Sequence, residues 1–346
     1  MTASIFAFPV VLLEGSPFDR GRRHGERFRP EIAAALGALR HAHAPASFAA
    51  AHDKAEAAWP VILSRAPDIA AELQGIADGS ATELTEILLQ VGFEFFDALA
   101  PSGCSAIACK GPRGAILGQN WDAPPDAATE LALFIHVGPH GFEYAVVAAV
   151  GGLAWVGCNR HGLVLLNNDL MLRSRAPGLP SQIVRRIVLN EPNVERALAA
   201  MRSLPHMAGR SYLLGDATGD IAGVEVSAGR GVRVNQRAAP VLHTNHALDP
   251  DIRDDEDEDT LMKTYPSSRH RLQVLQRLSA GISSVGDLVV ALKNQEGFPD
   301  SICKGRSHAE PTQTAFSIVA DCGSRALHLC PGSPAEHIYY PILLPA

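Results

Sequence analysis

Basic residues are the minority in this chain. Thirty Lys and Arg stand against 37 Asp and Glu over 346 residues, a net charge of −7. Proteins that grip a phosphate backbone carry a basic excess or stripe, so nucleic acid is not an expected partner. No apolar run reaches the roughly 20 residues that a bilayer-spanning helix needs, and no membrane partner is expected. The stretch Ile5 to Leu13 is short, is broken by Pro9 and has no basic residue before it. It does not read as a secretory signal, and the last residues, Ile342 to Ala346, match no retention or peroxisomal address. The expectation is a cytoplasmic protein. CxxC pairs are absent: Cys104, Cys109, Cys158, Cys303, Cys322 and Cys330 are scattered. That excludes a zinc-finger spacing and argues for free thiols. Charge is sparse at 19%, while hydrophobic residues make up 47%, which excludes disorder for the bulk.

What is present is a change of texture. The first hundred residues read mostly helical. Gly15 to Gly21 is a turn-rich opening, Ala33 to Leu39 and Asp68 to Ala77 follow, and Thr82 opens the clearest helix through Leu84, Leu88, Val91, Phe95 and Leu99. Those apolar positions recur at three and four residues, one helical face. From Cys104 onward, short apolar runs alternate with Gly, Asn and Asp. Ser105–Cys109 and Ala115–Asn120 make a hairpin, followed by strands at 131–137, 143–150, 153–158 and 163–167. Helices return at 181–189 and 194–204, strands at 211–214 and 221–226, helices at 269–278 and 285–292, and a last hairpin at 316–320 and 326–329. The pattern predicts an α+β fold in which stacked sheets carry helices outside. No internal repeat or long linker appears, so one domain spanning 1–346 is expected. The acidic run Asp249 to Asp259 lacks the ligand order of a calcium loop and reads as a solvated loop.

The stretch that carries chemistry runs from Gly103 to Asp122. A cysteine begins a strand directly after a glycine, and the returning strand ends in Asn120-Trp121-Asp122. Asn120 and Asp122 lie two apart and share one face. The hairpin can therefore bring a thiol near a carboxylate and an amide. Read alone, each residue has a plainer role: a buried cysteine packs as a small hydrophobe, and Asp or Asn after a strand suits a turn.

Gly103-Cys104 followed by Gly118-Gln-Asn-Trp-Asp122 resembles the processing site of the acyl-coenzyme A:6-aminopenicillanic acid acyltransferase (isopenicillin N acyltransferase) family. These are N-terminal nucleophile hydrolases. The Gly15–Gly25 segment, Ser211–Asp216 with Gly223-Val-Glu225, His243-Thr-Asn-His246, and Ser301-Ile-Cys303 with Thr314–Asp321 are similar to further family segments in the same order. The resemblance implies a four-layer αββα sandwich. It also implies self-cleavage into 1–103 and 104–346, which remain associated as each other's partner.

The resemblance further implies that Cys104 is the nucleophile, that Asp122 orients its freed α-amino group, and that Asn245 donates to the oxyanion. Asn120 would position Cys104 or the substrate. Gly103 suits the attack because glycine tolerates a strained backbone. A free α-amine has a pKa of about 7.7–8.0 and can take the thiol proton. Relatives place an arginine after Ser-Ile-Cys, where this chain has Lys304, with Arg306 two residues on; either could take that role. Arg269 is a further candidate for a structural or substrate contact. His243 and His246 flank Asn245 three residues apart, a spacing open to metal ligation but not read as a metal site, and the remaining histidines are scattered without ligand spacing; neither metal nor cofactor is expected. The expected substrate is a small linear acyl amide or acyl thioester. Three outcomes stay open: hydrolase, coenzyme A-dependent transferase, or an unprocessed binding relative.

Overall fold

The computed structural model of the chain describes residues 9–96, 102–125 and 130–345. A strand, β1 (Val10–Glu14), leads into α1 (Pro17–Arg27), α2 (Arg29–Ala42), α3 (Pro45–Arg65), α4 (Pro67–Ser80) and α5 (Leu84–Val91). The hairpin β2 (Gly103–Lys110) and β3 (Ala115–Ala123) precedes β4 (Leu131–Gly138), β5 (Gly141–Ala149), β6 (Val156–Asn159) and β7 (Val164–Asp169). Helices α6 (Ser181–Val188) and α7 (Val194–Ser203) are followed by β8 (Arg210–Gly215), β9 (Ile221–Ser227), β10 (Gly231–Gln236) and β11 (Val241–His243). Then come α8 (Pro250–Arg253), α9 (Glu258–Thr264), α10 (Ser268–Ser279) and α11 (Val285–Leu292). The last strands are β12 (Gln313–Asp321), β13 (Ala326–Pro331) and β14 (Tyr340–Ile342).

Two sheets form. One runs β1-β4-β5-β6-β7-β8-β9-β10, the other β11-β2-β3-β12-β13-β14. Alternation along each strand sends every second side chain to the opposite face, and three apolar layers result. Leu73, Ile76, Ile183 and Leu198 from the helices meet Phe134, Val146, Leu165 and Val224 of the first sheet. The other face of that sheet, through Leu133, Val147 and Leu213, meets Ala106, Leu117 and Ile318 of the second. Ile107, Ile116 and Val319 on the far side of the second sheet pack under Leu272, Leu275, Leu288 and Leu292 of α10 and α11. The layers are therefore helices, sheet, sheet, helices: the αββα sandwich implied by the resemblance. No helix among the described residues is long and apolar enough to cross a membrane.

Several elements had no legible signal. Helix α1 buries Arg20, Gly21, His24 and Gly25, a face with no apolar residue in it. Ser16 caps the helix and Pro17 supplies a favoured first position. The face is glycine-rich because α1 crosses α4 at backbone contact. A Cβ on Gly21 would lie 2.0 Å from the Glu72 carbonyl oxygen, and one on Gly75 would lie 2.2 Å from that of Phe18. Helix α5 ends at Val91, followed by a short 3-10 turn over Phe93–Phe95; Leu99, placed on this helix by periodicity, lies outside the described residues. The acidic run is not a solvated loop. Asp249 and Asp257 cap α8 and α9, while Asp255 and Glu256 are buried. Asp255 accepts from Ser174 and Ser227, and Glu256 accepts from the Ala247 amide.

Candidate active site

Cys104 is the second residue of β2, paired across the hairpin with Trp121. Its side chain points between the two sheets, on the same face as Ala106 and Ala108, and it is 1% exposed. Its amide nitrogen donates to Asn245 Oδ1 at 2.9 Å, and its carbonyl accepts from Arg271 Nη1 at 2.5 Å. Asn245 comes from the end of β11, which pairs with β2 from the other side. Arg271 comes from α10, beneath the second sheet. Both groups that flank the Cys104 backbone thus arrive from elements more than a hundred residues away.

Asp122 stands opposite Gly103, not opposite Cys104, and it faces α10 and α11. Its Oδ1 accepts from Thr314 Oγ1 at 2.8 Å, and its Oδ2 is buried without a partner. A Cβ on Gly103 would lie 3.1 Å from that Oδ2. Gly103 is ordinary extended strand and is not among the glycines at positive φ. The requirement for glycine here is space for the Asp122 carboxylate, not backbone strain. Burial pushes the Asp122 carboxyl up, opposed by Arg271, Lys304 and the Thr314 bond. Burial also pushes the Cys104 thiol well above its usual range, and the Asp169 and Asp122 carboxylates push the same way. Arg271 and a bond from Gln119 oppose them. The sulfur is therefore held as the thiol.

Asn245 is fixed on every side. Its Oδ1 also accepts from Arg271 Nη2 at 2.9 Å, its backbone nitrogen donates to Ser268 Oγ at 2.8 Å, and its Nδ2 reaches the Asp169 carbonyl at 3.3 Å. His243 and His246, its sequence neighbours, are committed elsewhere. His243 bonds Glu225 at 2.8 Å and His246 bonds Ser268 at 2.8 Å. Glu225 also accepts from the amides of Leu248 and Asp249. Burial would raise the Glu225 carboxyl, but the His243 bond and these amides hold it below the usual range.

The remaining expected residues divide. Lys304 is buried beneath Asp122, with Nζ 2.7 Å from Glu310 Oε2 and 3.1 Å from Asp300 Oδ1. Arg306 is exposed, so of the two basic residues after Ser-Ile-Cys only Lys304 is buried. Asn120 shares a face with Asp122, but its Nδ2 donates to the carbonyls of Leu292 and Ile302, tying β3 to α11. It does not reach Cys104. Arg269 is half exposed and pairs with Glu258 at 2.7 Å, outside the site.

Sequence reasoning missed Arg271, Asp169 and Gln119, which bear on Cys104 or Asn245. One signal was available for Arg271. On α10 it lies beside Leu272 and Leu275, the buried side, whereas Arg269 is about 200° away at 100° per residue.

The acyl-coenzyme A:6-aminopenicillanic acid acyl-transferase family matches residues 109–336. The chain belongs to this family. The matched stretch begins after Cys104 and contains Asp122, Asn245, Arg271 and Lys304. Acyl transfer is the chemistry for which the family is named. The acyl-coenzyme A:6-aminopenicillanic-acid-acyltransferase 40 kDa form of Emericella nidulans is 27% identical over 337 residues, covering 94% of this chain and 92% of that protein. Among solved structures, penicillin V acylase from Agrobacterium tumefaciens gives a TM-score of 0.43 at 14% identity, over 66% of this chain and 83% of that one. A mutant conjugated bile acid hydrolase from Clostridium perfringens gives 0.37 at 11% identity, over 69% and 92%.

Proposed function

We propose that the chain is a precursor that cleaves itself between Gly103 and Cys104, and that the freed Cys104 is the nucleophile of an amide hydrolase or acyltransferase. The observation that carries this reading is the bracketing of one buried cysteine. Asn245 holds its amide nitrogen, Arg271 holds its carbonyl, and an unpartnered Asp122 oxygen lies across Gly103. An inert buried thiol needs none of these groups.

In processing, Cys104 Sγ attacks the Gly103 carbonyl carbon. The C–N bond breaks, the thiol proton ends on the Cys104 nitrogen, and a thioester remains. Water then cleaves the thioester, leaving Gly103 as a carboxylate and Cys104 with a free α-amine. In the mature enzyme that amine takes the thiol proton. The thiolate attacks the substrate's acyl carbonyl, the substrate's amine (or thiol, from a thioester) leaves with the proton passed on by the α-ammonium, and an acyl-thioester forms on Cys104. Water ends the cycle in a hydrolase, and an amine ends it in a transferase. Asn245 Nδ2, held only by the 3.3 Å bond to the Asp169 carbonyl, is the donor available to the oxyanion. Asp122, relieved of its place opposite an intact peptide, orients the α-amine.

The two products share a core, since α1–α5 precede the cut and pack on a sheet built almost wholly after it. They stay together. The substrate is a linear acyl amide or acyl thioester. Penicillin does not follow from the family name, because a fold and family do not fix the substrate.

The deciding experiment is the denatured intact mass of freshly purified protein. Two chains matching 1–103 and 104–346 are expected, and one full-length chain from Cys104→Ala. Cleavage of Cys104→Ala at the wild-type rate would overturn the assignment.

A further inference from the structure

Three buried charged groups form a line that ends beside the scissile peptide. Glu94 Oε1 bonds Arg210 Nη2 at 2.9 Å, and Arg210 Nε lies 3.4 Å from Asp169 Oδ1. Asp169 Oδ2 accepts from Ser102 Oγ at 2.9 Å. Phe93 stacks beneath the Arg210 guanidinium, 4.6 Å from its ring centre. Arg210 is fully buried and Asp169 is 9% exposed.

The placement of Asp169 is specific. Its carboxylate holds the side chain one residue before Gly103. Its backbone carbonyl receives Asn245 Nδ2, and Asn245 in turn holds the nitrogen of Cys104. One residue at the end of β7 therefore grips the Gly103–Cys104 peptide from both directions. After cleavage only one of the two grips still bears on Cys104. Ser102 goes with the 1–103 chain and its new terminus, while Asn245 and Asp169 stay on the catalytic chain.

Resting on the self-cleavage reading, we infer that the Ser102–Asp169 hydrogen bond is a clamp specific to the precursor, which presents the Gly103 carbonyl to Cys104 and has no part in turnover. Asp169 is a positioning residue here, acting through Ser102. A hydrogen bond to a buried carboxylate is among the stronger ones, and its loss leaves the peptide free to leave the attack geometry.

The test is the rate at which the 104–346 chain appears, followed by intact mass. Ser102→Ala is expected to slow it about 10–100-fold, and Asp169→Ala, which leaves Ser102 no acceptor and also unpairs Arg210, by at least as much. The double variant should be no slower than the Asp169 variant alone, because Ser102 acts only through the Asp169 carboxylate. Ser102→Thr keeps the hydroxyl and should process near the wild-type rate. Once cleavage of Ser102→Ala is complete, iodoacetamide should label its Cys104 as fast as in mature wild type. Processing of Ser102→Ala at the wild-type rate, additive losses in the double variant, or slowed labelling of the mature variant would each overturn the clamp. An uncleaved wild-type chain would instead remove the self-cleavage reading itself.

Discussion

The amide nitrogen of Cys104 donates to the side-chain oxygen of Asn245 across 2.9 Å. With Arg271 on the same oxygen, the Asn245 amide has one orientation, and its NH2 is turned away from Cys104 N. A polar side chain with both atoms assigned in advance is what oxyanion stabilisation requires, since nothing reorganises as charge develops.

Asn245→Asp should therefore keep the acceptor and lose the donor. The oxyanion on Gly103 during cleavage needs the same donor as any later substrate. We expect the processing rate to fall about 10²–10³-fold, the usual cost of one such donor. Appearance of the 104–346 chain within threefold of the wild-type rate would remove Asn245 from this role.

Gly103 offers a steric test. Its missing Cβ leaves 3.1 Å to Asp122 Oδ2, tighter than an ordinary contact. Gly103→Ala should displace the carboxylate or the strand, and Gly103→Val should do so more severely. Overpacking of this kind costs about 1–3 kcal/mol. The mass time course should show slowed cleavage in the order Gly, Ala, Val. The double variant Gly103→Ala with Asp122→Asn should not recover the rate, because the carboxylate is also the group that steadies the new amine.

Much of the second sheet and the return strands of the first was legible in the sequence. Between Cys104 and Val226, alternating apolar runs are set off by Gly, Asn and Asp, and hairpin partners lie close in sequence. Strands β10, β11 and β14 were missed because they are short or at sheet edges. Helix α1 was missed because what it buries is glycine, arginine and histidine against another helix backbone. The site divides on the same line. Cys104 and Asp122 are neighbours in one hairpin and can be read together. Arg271 and Asp169 join them only when α10 and β7 pack around β2, and no spacing announces that. Asn120 shows the converse: motif position suggested the site, but its amide turns to α11, while Arg269, expected as a structural or substrate contact, pairs with Glu258.

Lys304 supplies a prediction on stability. Its ammonium is buried against Glu310, which also takes the Ser267 amide. Lys304→Met would leave Glu310 charged and unpaired in the interior, a change that costs about 3–5 kcal/mol. A lower urea midpoint is expected, with much of the loss recovered in Lys304→Met with Glu310→Gln. If the double variant is as unstable as the single, the pair is not what Lys304 contributes.

The final prediction concerns acid. His24 Nε2 accepts the Gly151 amide at 2.9 Å, so the ring is neutral in the folded protein. Burial pushes its pKa down from 6.5 to about 4, with Glu72 opposing and Arg186 adding to the shift. His136 beside it is pushed down by burial in the same way. The unfolded chain therefore binds these protons before the folded one does, and stability must fall as pH drops below about 6.5. That loss continues down through the folded value near 4. At 1.36 kcal/mol per unit the His24 shift alone is on the order of 3 kcal/mol. His24→Gln keeps an acceptor for the Gly151 amide without a titrating ring. Its urea midpoint should be lower than wild type at pH 7, but should decline less between pH 6.5 and 4. Parallel declines would mean that His24 is already protonated in the folded state, which the Gly151 bond forbids.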